Sequence, residues 1–549
     1  MLNGVTLPDS VTTIGSRMFQ NCTSLSSITV PAGVTTLPTS IFYGCTSLKT
    51  ATLEGVTSIG NNAFENCSLL ETVNLPEGLL TIGQYAFNTC SALKSVSLPS
   101  TLTGIYSYAF SATGLIAITL PQGLTSIGSY AFAETGLTSV TVPKSVTSLG
   151  SSAFSDCTAL QSAILEEGIA LHYNKLNSNM FNGCSRLSSV SLPGGLTAIG
   201  ANAFLNCTSL TEIAIPADVT SFGESAFSGA GLTRVDYAGT LADWCGMTFT
   251  NAAANPVSIT GNLYIGGTNT ITATFAIPEA VTSIGAYAFY GCTGITELNL
   301  PGGLTEVGTD AFMGCTGITK AIVPTAAIGQ FTNANLEYLE INGGAEIPAS
   351  AFANFTGLIS AKIGDTVTTI GSKAFSGCTA LESITVPFIG NTKDGSANTA
   401  FKYIFGSVPA SLKNIVITGG TTIAENAFSG CSNVISITIP ETVTTIASNS
   451  RNMFYDCSNL AEINYNAIAV ADFNHLEGPF VSATGSEEGV TVNIGAKVTV
   501  IPQYMFQGFD NLKTVNFASD SQCSKIGTGA FANTGLQSIQ IPKSVEIIE

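Results

Sequence analysis

The chain has 549 residues, room for several ordinary domains, yet only 10% are charged while 45% are apolar. Its 36 acids against 18 bases leave a net charge of −18, the acids are scattered, and no basic run occurs. An electrostatic grip on nucleic acid or on an anionic membrane surface is therefore excluded, and no apolar stretch reaches the length of a membrane span.

Residues 2–8 read as a strand closed by Pro8, so the chain opens inside a repeated unit. A return limb follows, Val11-Thr12-Thr13-Ile14-Gly15-Ser16-Arg17-Met18-Phe19. Val11 and Ile14 are expected to turn inward and Gly15 to make a sharp bend at positive φ. A short helical turn is expected to carry Phe19 into the core. Two residues after the Phe stands Asn21, and in later units Gly44, Asn66, Gly183, Asn206 or Gly314, residues that tolerate the left-handed conformation. Leu25-Ser26-Ser27-Ile28-Thr29-Val30-Pro31 comes next, with Leu25, Ile28 and Val30 on the L-x-x-L-x-L spacing of a leucine-rich repeat. Ile28 and Val30 share one face, Ser27 and Thr29 the other, and Pro31, lacking an N–H, ends the strand.

The same sentence recurs. Phe42, Phe64, Phe87, Phe110, Phe132 and Phe154 follow at 22 or 23 residues, then Phe181, Phe204, Phe227, Phe289, Phe312, Phe352, Phe375, Phe428, Phe454, Phe506 and Phe531. Such a period predicts one leucine-rich repeat solenoid over 1–549, β-rich although conventionally grouped with α/β folds. It would have about 24 coils, a parallel β-sheet on one face and short extended or helical returns on the other. At roughly 4.8 Å per coil the array would run on the order of 110 Å. Residues 236–275, 325–348, 388–411 and 466–500 break the rhythm and are expected to be irregular coils. The last residues, Ser544 to Ile548, begin another unit, so both ends are expected to be uncapped and the chain to be a segment of a longer protein.

Three sets of residues could carry function. Outward hydroxyls on the strand face, Thr29, Thr52, Thr119 and Thr141 among them, suit broad shallow contact with a protein or polymer. Tyr85, Tyr108 and Tyr130 stand two residues before Phe in consecutive units and either anchor a partner or stack along the coil edge. Trp244, the single tryptophan, lies in the first irregular stretch.

Of the fourteen cysteines, twelve sit three residues after a repeat Phe, and Thr113, Thr135, Thr534, Ala230 or Phe355 replaces them elsewhere. Phe cannot replace half a disulfide, and one coil spacing exceeds the ~3.5–4.5 Å between bridged Cβ atoms, so a column of buried reduced thiols is expected. Cys245 and Cys523 lie off that column and are expected to be the reactive pair. His172, after Glu166 and Glu167, and His475, near Asp472 and Glu477, read as solvated loop residues. No nucleophile, metal or phosphate motif is present, so the expectation is no enzyme, no metal and no cofactor.

The units at 124–132 (L-T-S-I-G-S-Y-A-F) and 378–387 (C-T-A-L-E-S-I-T-V-P) resemble BspA-type leucine-rich repeats. So do the irregular pieces Gly239-Thr240-Leu241-Ala242-Asp243-Trp244 and Gly390-Asn391-Thr392-Lys393-Asp394-Gly395. The resemblance covers essentially the whole chain. It implies an extracellular or cell-surface protein, with relatives that act as adhesins for host matrix proteins or other microbes and share no catalytic motif. The expected partners are host or microbial surface proteins or glycans, with no nucleic acid and no membrane insertion. A monomer is expected, with end-to-end assembly into a fibre or sheath as the alternative.

Overall fold

The computed structural model describes residues 5–331, 335–447, 453–474, 478–481 and 483–549. They form a parallel-strand leucine-rich repeat solenoid of about 22 turns, slightly fewer than the Phe period alone suggests, because the irregular units spend more residues per turn. The chain divides into two compact units. The first is Met1–Thr272 with Ile284–Gly294 and Gly308–Gly314; the second is Ala273–Ser283, Ile295–Val307 and Cys315–Glu549.

In the first unit the strand Ser27–Val30 buries Ile28 and Val30 and exposes Ser27 and Thr29, as its alternation requires. It pairs in parallel with Thr50–Leu53, which pairs with Thr72–Asn74. The ladder then lapses: residues 94–98 and 116–120 form no strand, so Thr119 sits on an unpaired segment. It resumes as Ser139–Val142, Ser162–Leu165 and Ser189–Ser191, and again as Glu212–Ile215, Arg234–Tyr237 and the antiparallel hairpin Tyr264–Ile265/Thr268–Asn269. A narrower sheet of two-residue strands, from Thr36–Leu37 to Ser148–Leu149, runs unbroken through six coils. The second unit holds one continuous parallel sheet of eleven strands, from Thr274–Ala276 to Leu512–Phe517.

The return limb differs from expectation in an instructive way. No helix carries the Phe inward; successive tight turns do. Alternate N–H groups point at the next coil: Arg17, Phe19 and Asn21 donate to the carbonyls of Thr39, Ile41 and Tyr43. The intervening N–H groups close back locally, Gln20 onto Arg17 and Cys22 onto Phe19. This weave puts left-handed residues two before and two after each Phe: Arg17 (φ 61°) and Asn21 (φ 57°), then Asn62 and Asn66, then Asn202 and Asn206. The second position was legible in the sequence; the first was not.

Gly15 and its equivalents are not left-handed. In later coils, though not at Gly15 where a Cβ would meet nothing, the residue is glycine because the coils touch there: a Cβ on Gly60 would lie 2.6 Å from the Leu37 carbonyl oxygen, and one on Gly128 2.3 Å from the Ser107 nitrogen.

Inside, the repeat phenylalanines stack. In the first unit, ring centroids from Phe19 through Phe227 are 5.1–6.0 Å apart. In the second, Phe428, Phe454, Phe480, Phe506 and Phe531 continue the motif at 4.9–5.5 Å. Phe480 belongs to the irregular stretch 466–500, so that stretch keeps the column without its consensus.

Candidate binding surfaces

The cysteine column has a specific geometry. Along much of the column the thiol donates to the carbonyl of the Phe one coil earlier: Cys45 to Phe19 (3.0 Å), Cys67 to Phe42 (3.1 Å), Cys207 to Phe181 (3.2 Å) and Cys457 to Phe428 (3.2 Å). All fourteen cysteines are unbridged, and all but Cys22 are buried. Where threonine substitutes, its hydroxyl bonds the Phe carbonyl of its own coil, as in Thr113 and Thr135. The column therefore selects a small hydrogen-bond donor, which is a structural task.

Cys245 and Cys523, expected to be reactive, are fully buried. Burial pushes the Cys245 thiol up to about 12 and raises that of Cys523, so both are held as inert thiols.

Trp244 is likewise in the core, with no exposed surface. It lies on the short helix Leu241–Cys245, started by Thr240, whose hydroxyl accepts the Asp243 N–H in a capping box. Its indole N–H donates to the Ala288 carbonyl at 3.1 Å. Asn255, also fully buried, donates to the carbonyls of Tyr287 (2.8 Å) and Ala288 (2.9 Å). In a regular coil such carbonyls take backbone N–H groups, as Ala63 takes that of Phe42. Here two side chains supply the donors, so the residue expected on a surface is an internal cap. Asn255 was not foreseeable, since nothing in the sequence separates it from a loop asparagine.

Tyr85, Tyr108 and Tyr130 stack face to face, centroids 4.7 Å apart and planes within 11°. All three are half-buried and left-handed, φ 57–59°. Stacking of this kind is worth ~0.5–1.5 kcal/mol per pair, comparable to the ~1–2 kcal/mol of a left-handed non-glycine residue. With two pairs set against three left-handed residues, the stack offsets part of its own backbone strain.

On the strand faces, Thr29 and Thr141 are exposed and Thr52 half-buried. Two places interrupt these hydroxyls with larger chemistry. In the first unit the Arg234 guanidinium makes two hydrogen bonds to Asp236 (2.6 and 2.7 Å) and lies 4.1 Å from the Tyr264 ring centroid. In the second unit Lys320 meets Glu297 at 2.7 Å and sits over the Tyr338 ring at 5.7 Å. Tyr338 donates to Glu340 (2.9 Å), which also meets Lys362 (2.8 Å). The hydrogen bond from Lys320 holds the Glu297 carboxyl below its usual range, and burial, aided by Glu340, pushes Tyr338 up to about 12. Further along this sheet the amides of Asn464, Asn493 and Asn516 form a ladder, each Nδ2 donating to the previous Oδ1 at 3.0 Å. Tyr264 and Tyr338 belong to irregular stretches, and nothing in their spacing announced that they would reach a strand face.

His172 is exposed beside Tyr173; His475 lies outside the described residues. Among the described residues no cluster of three metal-ligating side chains occurs, and no helix is long and apolar enough to cross a membrane.

Residues 1–115, 80–176, 103–234, 258–382, 345–475 and 484–549 match, in six copies, the family described as the BspA type leucine rich repeat region. The chain belongs to that family. No curated protein matches it. Among solved structures this BspA-type chain is similar to a leucine-rich repeat protein from Bacteroides ovatus, with 24% identity over 80% of this chain and 86% of that one, TM-score 0.33. The leucine-rich repeat protein of T. pallidum is 30% identical, over 34% of this chain and 77% of that one, TM-score 0.26. A leucine-rich cell surface protein from Faecalibacterium prausnitzii is 20% identical, over 91% of each chain, TM-score 0.18.

Proposed function

We propose that this BspA-type chain is a non-enzymatic, extracellular adhesion protein that engages host matrix proteins or other cells through its strand faces. The observation that carries the reading is the continuous eleven-stranded sheet of the second unit. Its outward columns are largely small and polar, as at Ser360, Ser383, Ser436 and Thr438, interrupted by Ile322, Val416, Glu462 and the Glu297–Lys320–Tyr338–Glu340–Lys362 cluster. Single hydroxyl contacts are weak, so affinity on such a face comes from many coils engaged together, with tyrosine and the paired charges as anchors. The buried cysteines supply no nucleophile. Thr141 and the tyrosines 85, 108 and 130 remain secondary contact positions; the buried Trp244 has no place on the surface.

The test is an array of matrix proteins and glycans probed with the chain, followed by variants of whatever binds. Tyr338→Ser is expected to weaken binding at least tenfold and Thr141→Ala less than twofold. An array with no saturable binder, or a binder indifferent to Tyr338→Ser, would overturn the strand-face reading.

A further inference from the structure

One place in the second unit has an opening between two coils. The strand Leu512–Phe517 is the last of the eleven-stranded sheet. The following coil starts beside it, with the Gly535 N–H bonded to the Phe509 carbonyl. It rejoins at Glu546, whose N–H bonds the Ser524 carbonyl, and at the pair Lys525↔Ile547. Between those points no backbone hydrogen bond joins residues 536–541 to Leu512–Phe517. The loop on one side of the opening is long: Phe517 to Lys525 spans two residues more than Val30 to Thr36 in a regular coil. The opening is a cleft of about 660 Å³, within the ~300–1,000 Å³ of ordinary ligand sites.

Three features define what fits. An unpaired strand edge offers backbone N–H and C=O groups, which an extended chain satisfies by adding as a strand. The amide ladder ends at Asn516 on the cleft wall, and Gln540 stands on the opposite wall, so a ligand amide or hydroxyl can continue the ladder. The hydroxyl of Ser544, also on the wall, is buried without a hydrogen-bond partner. Asp520 and Lys543 contribute one charge of each sign, which favours a neutral ligand. Val515 and Ala518 on the lining are themselves small and apolar, a match for small side chains on a ligand.

We propose that this cleft is a receptor for a neutral, extended peptide with small and amide side chains, bound as an added β-strand beside the Val515–Phe517 end of the strand. The site is separate from the charged strand-face cluster, so either can fail alone. The probe is an acetylated, amidated Thr-Ala-Asn-Ala-Thr peptide, titrated into the full chain by calorimetry. Saturable binding is expected, weakened at least tenfold when alternate peptide amides are N-methylated and about fivefold or more by Asn516→Leu. Thr305→Ala should leave it unchanged. Hydrogen exchange at residues 512–517 and 536–541 is expected to slow when peptide is added, a readout that does not depend on any variant folding. Absence of saturation at millimolar peptide, or equal binding of the N-methylated peptide, overturns the proposal. So does a peptide-insensitive dimer in sedimentation that Asn516→Leu dissociates, because the occupant would then be a second copy of the chain.

Discussion

Where a thiol stands three residues after a core phenylalanine it reaches across to the previous coil, and this bond accounts for the column and for its threonine replacements, though not for Ala230 or Phe355. Cysteine and threonine each bring a donor to a Phe carbonyl. The sequence made the burial legible from Cys/Thr exchange, but not the bond. Native alkylation is therefore expected to modify Cys22 alone and denatured alkylation all fourteen; rapid labelling of Cys245 or Cys523 in the folded chain would contradict the packing. A pH dependence follows. Burial raises the thiol of Cys45 from 9.0 to about 11 and that of Cys378 to about 11. The folded state thus holds protons that the unfolded state releases above pH 9, and stability falls as pH rises from 9 toward 11. Each thiol contributes at most about 1.4 kcal/mol per pH unit in that window. Urea midpoints measured at pH 8, 9.5 and 10.5 should decline in that order, and a flat profile would refute it.

At the scale of a single coil, the parts read correctly from sequence were those the repeat imposes many times: the alternating strand, the proline stop, the buried Phe. Phe204→Ala is expected to cost ~3–5 kcal/mol as a cavity in the stack, measured by chemical unfolding. What escaped the sequence depends on contacts between coils. Gly60 is glycine because of a neighbour's carbonyl, and Tyr85, on a left-handed backbone that the weave imposes in coil after coil, stacks on Tyr108 of the next coil. The irregular stretch around Trp244 is the clearest case, since a one-off solution has no period to betray it. Trp244→Phe removes one donor from Ala288, which keeps Asn255, and should cost about 1 kcal/mol from the hydrogen bond alone. Asn255→Leu strands the Val257 N–H, which donates to Asn255 Oδ1 at 2.9 Å, and takes a donor from both the Tyr287 carbonyl, which keeps the Tyr290 N–H, and the Ala288 carbonyl. Each stranded buried group costs ~1–3 kcal/mol, so Asn255→Leu should be the worse of the two. The reverse order would mean that the amide is not the cap.

For the molecule as a whole, the governing fact is that almost every long-range bond joins a residue to the neighbouring coil. Phe42 bonds to Ala63, Phe64 to Ala86 and Phe87 to Ala109, and the rings follow the same step. Stability is then close to a sum over coils and the interfaces between neighbours, and a complete coil is dispensable where part of one is not. Deleting residues 110–131 joins Ala109 to Phe132, which restores the Ala-Phe step and lets the Phe132 ring stack on Phe87. That variant is expected to fold, with a slightly smaller urea m-value because less surface is exposed on unfolding. Deleting only residues 110–120 removes a Phe and leaves a strand opposite a return limb. Every inward residue of that coil then faces the wrong neighbour, and the variant should lose its cooperative transition or fail to accumulate. Circular dichroism and urea unfolding of the two deletions separate the outcomes: equal damage from both would mean that the first unit is held by contacts reaching beyond adjacent coils, and the nearest-neighbour account would fall.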